Sequence, residues 1–228
     1  MVKRHLKRLF MPKTWELKKK CKKFVTRPHP SGHPLDNTLS LNMLLRDVLN
    51  LAKTRKEVKK ILQHNEIYVN GKVQKDEKNS IGLLDILSIK ELNKNYRIVM
   101  DSLGRLNVKE VDKKETELIP CKITGKTYIK KGKKQLNCFN GFNIITEDDT
   151  KYKVGDVILY DYVKKKIVES YHLEKGAKAY IIRGKYRGTL CDVDKIEKNT
   201  ITFTANKQTY VTNKDYALAL GKQIKITC

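Results

Sequence analysis

Cysteine is scarce in this chain and never paired. Cys21, Cys121, Cys138, Cys191 and Cys228 are odd in number, widely scattered and form no CxxC. That pattern excludes a disulfide framework and a common zinc knuckle, so all five are read as free thiols. Cys21, His29 and His33 include an H-x3-H spacing, but one cysteine and two histidines in a Pro-rich loop are an incomplete ligand set, and no metal or cofactor is expected. Long apolar runs are missing too. The longest, "YALAL" at 216–220, has five residues where a spanning helix needs about 20, and the N-terminus lacks a signal-peptide apolar stretch. The expectation is a soluble, cytoplasmic protein without membrane contact. The third scarcity is acid: 25 Asp and Glu stand against 49 Lys and Arg, a net charge of +24 over 228 residues. Self-repulsion on that scale strains a compact fold and is tolerated where the partner is a polyanion, nucleic acid first.

The charge is concentrated at the start. Residues 1–30 carry eleven basic side chains, among them Lys3, Arg4, Lys7, Arg8, Lys18, Lys19 and Lys20, against the single acid Glu16. The apolar residues there (Leu6, Leu9, Phe10, Trp15, Leu17, Phe24) are too few to fold alone, so the segment is expected to be an arm, disordered until it meets RNA.

After the breaker run "RPHPSGHPLDN", Leu41, Leu44, Leu45, Val48, Leu49 and Ala52 share one helical face, which predicts a helix over 39–52. A second helix follows Thr54, an N-cap with Glu57 in capping-box position; Val58, Ile61 and Leu62 face inward and Asn65 closes it. On this helix Arg55 and Lys59, and likewise Lys56 and Lys60, stand four apart. Each like-charged pair costs a few tenths of a kcal/mol, so two such pairs suggest a face neutralised by phosphates. Directly behind comes "IYVNGKV", in which Asn70 and Gly71 are suited to a type I′ hairpin and Lys72 opens the return strand. The segment "GLLDILSI" is expected as a further strand ending near Ile89.

The stretch from Leu39 to Ile89 resembles the small RNA-binding domain named after ribosomal protein S-four: the turn "AKTRKEV", the strand "IYVNGKV" and the close "GLLDILSI" fall in that family's order and spacing. The resemblance implies that two helices and the hairpin form a basic surface for folded RNA, with Arg46, Thr54, Arg55, Lys59, Asn70, Gly71 and Lys72 facing it.

Domains of this type also occur in enzymes. Pseudouridine synthases that carry it have a catalytic aspartate in "GRLD"; here Gly104 to Asn107 reads "GRLN", and an amide cannot act as an ionised carboxylate. "SLGR" reads instead as a turn between strands. The HIGH and KMSKS signatures of a tyrosyl-tRNA synthetase are absent, and "TGKT" at 124–127 has Pro120 where a phosphate loop needs its first glycine. No catalytic residue and no small-molecule substrate are assigned.

From Tyr96 onward short alternating runs predict an all-β region, with a second hairpin at Asn140-Gly141. The end, "KGAKAYIIRGKYRG", resembles a KOW motif, which implies an SH3-like barrel whose loop presents Arg183, Gly184, Lys185 and Arg187; Cys191 departs from that pattern. The fold expected is therefore α+β and multidomain: a basic N-terminal arm over 1–37, a small α/β S-four-type domain over 38–92, a central all-β domain over 93–173 and a KOW barrel over 174–228. All parts in order resemble the small-subunit ribosomal protein four family of the archaeal and eukaryotic type. That resemblance implies a structural role on small-subunit rRNA among neighbouring small-subunit proteins; the alternative is a non-ribosomal or rRNA-modifying factor built on the same domain.

Overall fold

The structure, a computed structural model, describes residues 5–18, 20–64, 66–129, 133–146, 151–205 and 208–221. Lys3, Arg4, Lys19, Cys228 and the expected helix closer Asn65 lie outside the described residues. The chain is mostly β with few helices and divides into two compact units, Met1–Val99 with Arg105–Thr116 and Met100–Gly104 with Glu117–Cys228. No helix among the described residues is long and apolar enough to cross a membrane.

The first unit opens with a two-stranded ribbon, β1 (Leu6–Lys7) against β2 (Phe24–Val25). The arm expected to order only on RNA is instead seated on the unit. Met11, Trp15 and Val25 are buried, Trp15 bridges to Leu106, and its indole N–H donates to the Thr38 carbonyl at 2.8 Å. The scattered apolar residues that cannot fold alone suffice once a preformed core is there to receive them, since burying a side chain such as Trp15 contributes a few kcal/mol.

β3 (Thr38–Ser40) follows, then a helical segment that departs from expectation. The predicted single helix over 39–52 loses Leu39 to β3, which pairs with β6 (Ser80–Gly82). Helix begins only after Ser40, whose hydroxyl accepts the Met43 N–H, as α1 (Leu41–Met43), and widens into a π-helical turn over Leu44–Val48, with Leu49 N–H bonding Leu44 carbonyl at 2.9 Å. Asn50, at φ 53°, ends it. The apolar spacing still serves its purpose, because Leu41, Leu44 and Leu45 are fully buried.

α2 (Arg55–Gln63), β4 (Ile67–Val69) and β5 (Lys72–Val73) stand where the capping box and the Asn-Gly pair put them. Beyond them "GLLDILSI" is not one strand: β6 ends at Gly82, Leu84 turns the chain at φ 70°, and β7 (Ile86–Ile89) starts afresh beside β4. The unit's sheet then continues past the boundary expected at residue 92. β8 (Lys94–Met100) and β9 (Leu106–Glu110) complete the order β5-β4-β7-β8-β9, joined by the "SLGR" turn, where Gly104 sits at φ 71°. Arg97 of β8 is buried and bonds the Glu115 carbonyl and carboxylate; desolvation lowers its pKa.

In the second unit β10 (Leu118–Tyr128), β11 (Lys134–Cys138), β12 (Asn143–Thr146), β13 (Val157–Asp161) and β14 (Lys166–Tyr171) form one antiparallel sheet in the order β12-β11-β10-β13-β14. "TGKT" lies inside β10 as extended backbone, with no loop to cradle a phosphate. The Asn140-Gly141 hairpin is present but of another type from the first. Only Gly141 has positive φ (81°), the link is the four residues 139–142, and the Asn140 amide turns inward to Cys121 Sγ at 3.1 Å.

A second sheet holds β15 (Lys178–Ile181), β16 (Leu190–Ile196), β17 (Thr200–Ala205), β18 (Gln208–Asn213) and β19 (Ala217–Ala219), around a core of Ile181, Val193, Ile201 and Phe203. Cys191 joins that core and burial pushes its thiol up to about 12, so it is chemically quiet. Gly188 is required by packing: a Cβ there would meet the Asp101 carbonyl oxygen at 1.8 Å.

Candidate nucleic-acid interface

α2 begins with a complete capping box. Thr54 Oγ1 accepts the Glu57 N–H, and the Glu57 carboxylate accepts the backbone N–H groups of Lys53 (2.7 Å) and Thr54 (3.3 Å), which lowers its pKa. Thr54 is thus occupied in building the helix. Val58 and Leu62 are buried, which turns the four cations outward in two pairs with different surroundings.

Arg55 grips Glu77, a carboxylate only 3% exposed: Nε donates to both oxygens at 2.7 and 2.8 Å, Nη2 donates to Oε1, and Lys59 Nζ lies 3.9 Å from the same oxygen. The hydrogen bonds from Arg55 to Glu77 raise the guanidinium pKa. One cation of this like-charged pair, Arg55, is therefore neutralised from within, and Lys59 lies at the edge of the same carboxylate. Sequence reasoning missed Glu77 because it lies 22 residues from Arg55 with nothing local to link them. The other pair, Lys56 and Lys60, is exposed.

The hairpin turn has Asn70 at φ 48° and Gly71 at φ 75°, both positive as a type I′ turn demands. The Asn70 side chain is spent on the fold: its Nδ2 donates to Asp85 Oδ1 and its Oδ1 accepts the Ile86 N–H, each at 2.9 Å. Asp85, 5% exposed, also accepts the Gly82 N–H at 2.7 Å and lies 3.4 Å from His33 Nε2. So "IYVNG" and "GLLD" are stapled together, and Asn70 is a support rather than an exposed contact. Gly71 and Lys72 remain exposed beside it. His29 pairs with Asp76 at 3.0 Å, so both imidazoles of the H-x3-H spacing engage carboxylates.

On the arm side, Arg8 is only 5% exposed and its Nη1 donates to the Lys18 carbonyl at 2.7 Å. Arg46 is tied to Asp47 by two bonds of 3.0 and 2.7 Å. These groups share a groove of about 610 Å³ with Lys18, Lys22 and Lys53, so the structure gathers Arg8, Lys18 and Arg46 from distant sequence positions. Lys7 and Lys20 are exposed. Among the described residues no group of three or more His, Cys, Asp or Glu could hold a metal ion.

In the second unit the loop between β15 and β16 presents Arg183 and Lys185 to solvent, the former 5.6 Å from the Phe139 ring centre and the latter 5.6 Å from that of Tyr186. Gly184, at φ 86°, rests near the Tyr216 ring. Arg187 is half-buried and folds over Gly104, where a Cβ would fall 2.2 Å from its Nε, so it packs as much as it presents. The unit also buries a cation that sequence reasoning did not single out. Lys122 Nζ donates to the Asp215 and Ala217 carbonyls at 2.8 and 2.7 Å, and desolvation pulls its pKa down to about 8.

Family models match the chain in three places: the RS4NT (NUC023) domain over residues 2–36, the S4 domain over 41–80, and ribosomal family S4e over 92–167. The small ribosomal subunit protein eS4 of Methanocaldococcus jannaschii is 37% identical over 234 residues, covering 97% of this chain and 95% of that protein. The chain belongs to the ribosomal S4e family. The eS4 protein of Methanosphaera stadtmanae is 36% identical over 225 residues, covering 96% of this chain and 92% of its own. The crystal structure of the 30S ribosomal protein S4e from Thermoplasma acidophilum matches with a TM-score of 0.70 at 28% identity, over 82% of this chain and 96% of that one. This S4e chain thus carries an S4 domain over 41–80, which holds α2 and the Asn70-Gly71 hairpin described above.

Proposed function

We propose that this chain is a structural constituent of the small ribosomal subunit that binds and buttresses small-subunit rRNA and performs no catalysis. The observation that carries the reading is α2 and the hairpin after it: a capped helix holds Lys56 and Lys60 outward and the turn exposes Gly71 and Lys72, in a chain of net charge +24. Such a face costs self-repulsion and gains counterion release when phosphates dock. The proposed RNA-facing set is Lys7, Lys18 and Lys20 on the arm, Lys56, Lys60, Gly71 and Lys72 on the S4 domain, and Arg183 and Lys185 on the loop of the β15–β19 sheet, which we read as a KOW-type barrel. Arg8, Thr54, Arg55 and Asn70 support this set through bonds within the fold, and Lys59 divides its charge between Glu77 and the surface.

The names of the S4e relatives, small ribosomal subunit proteins, support the ribosomal reading, and we propose rRNA and neighbouring small-subunit proteins as partners, in the cytoplasm. Gradient sedimentation of cell extract tests it. The chain should travel stoichiometrically with mature small subunits and stay there in moderate salt. Recovery with immature particles alone would favour the alternative, an assembly or rRNA-modifying factor.

A further inference from the structure

The short turn Arg8–Phe10 is inside out. It buries its charged residue, Arg8 at 5% exposure, and leaves its two apolar residues in solvent, Leu9 at 72% and Phe10 at 75%. Looseness does not account for this. The turn is fixed on both sides: Arg8 N–H bonds the Lys23 carbonyl at 2.9 Å, the Arg8 guanidinium bonds the Lys18 carbonyl, and Met11, the next residue, is buried. Burying a guanidinium while exposing a phenyl ring costs free energy twice in the isolated chain, so the arrangement points to something that covers the ring in the working state. A second exposed ring is near in the fold: Phe24, 50% exposed, stands directly across the ribbon from Lys7, packs against His5 and carries Lys23 5.7 Å from its ring centre.

We propose that Leu9 and Phe10 form a stacking platform for an unpaired RNA base, with phosphates drawn by the neighbouring exposed Lys7, Lys13 and Lys23. The charge selects this occupant. An apolar patch meant for another protein is usually stripped of lysine, whereas aromatic rings interleaved with cations are how single-stranded nucleic acid is held, the ring taking the base and the cations the backbone. The inference rests on the RNA reading above and adds to it a preference for unpaired bases at one place.

Binding of the full-length chain to a fluorescein-labelled 12-nucleotide oligoadenosine and to a 12-base-pair RNA duplex tests it, with Phe10→Ala, Phe10→Trp and Leu9→Ala beside the parent protein. Phe10→Ala should weaken binding to the single strand on the order of tenfold. It should leave duplex binding and the melting temperature unchanged, while Phe10→Trp keeps the affinity for both. Equal binding of the single strand by the parent and Phe10→Ala would overturn the platform and leave the RNA reading intact, as would an equal loss for both RNAs. Failure of the parent chain to bind either RNA would overturn the RNA reading itself.

Discussion

Arg55 with Lys59 and Lys56 with Lys60 are the same arrangement one residue apart on one helix, yet the fold treats them in opposite ways. The first pair closes over Glu77, a carboxylate that is 3% exposed and would be costly to leave unpaired; the second faces solvent. The cations of one basic helix therefore do not share one environment. Arg55, with Lys59 at 3.9 Å, meets the protein's own buried acid, while Lys56 and Lys60 face solvent. The same division runs through the rest of the molecule. Asn70 is spent on Asp85 while Lys72 is presented, Arg8 is buried while Lys7 is exposed, and Lys122 is enclosed by carbonyls while Arg183 stands in solvent.

The largest expected effect comes from turning one pair into the other's condition. Arg55→Ala leaves Glu77 buried with only the more distant Lys59, and should destabilise the first unit by about 3 kcal/mol, since removing one partner strands a desolvated charge. Trp15, the chain's one tryptophan, lies buried in that unit, so urea unfolding followed by its fluorescence reads the loss directly. A change under about 0.5 kcal/mol, the size typical of a surface substitution, would mean the two pairs do not differ.

The buried cation of the second unit gives a pH test. The Lys122 pKa falls to about 8 in the folded chain from an ordinary 10.5, so between those values the unfolded chain binds more protons and stability rises with pH. The gain is largely complete at the upper end, and its size is roughly 2 kcal/mol at most after allowing for relaxation around the amine. Calorimetric melting at pH 7.5 and pH 10 should show this rise in the parent chain and lose it in Lys122→Met. An identical pH response in both would place the Lys122 amine in water.

Asn70→Ala sharpens the comparison within the hairpin. It removes two hydrogen bonds and puts alanine at positive φ, which together should cost about 1 to 2 kcal/mol in the same urea assay. The salt slope of RNA binding should not change, because the Asn70 amide meets Asp85 and Ile86 rather than phosphate.

Local chemistry made much of this fold legible in the sequence. The capping box at Thr54 and Glu57 and the positive φ of Asn70 and Gly71 need only neighbours within a few residues, and the structure has both. What escaped reading depends on partners far along the chain. Leu39 has the spacing of a helix but is claimed by pairing with Ile81, and "GLLDILSI" looks continuous until Asp85 reaches back to Gly82 and breaks it. The arm's composition reads as disorder because composition does not register that Met11 and Trp15 find a ready core on the first unit. The candidate site was legible as a set of cations, not as a division of labour among them.

The central claim is that Lys56 and Lys60 meet phosphate whereas Arg55 and Lys59 meet chiefly Glu77, and the salt dependence of binding to small-subunit rRNA tests it most directly. The double variant Lys56→Ala/Lys60→Ala should keep the stability of the parent within about 0.5 kcal/mol and lower the slope of log K against log salt by about two. The variant Arg55→Ala, measured under conditions where it remains folded, should keep the parent's slope. The reverse result, an unchanged slope in the double variant with a reduced one in Arg55→Ala, would contradict the account.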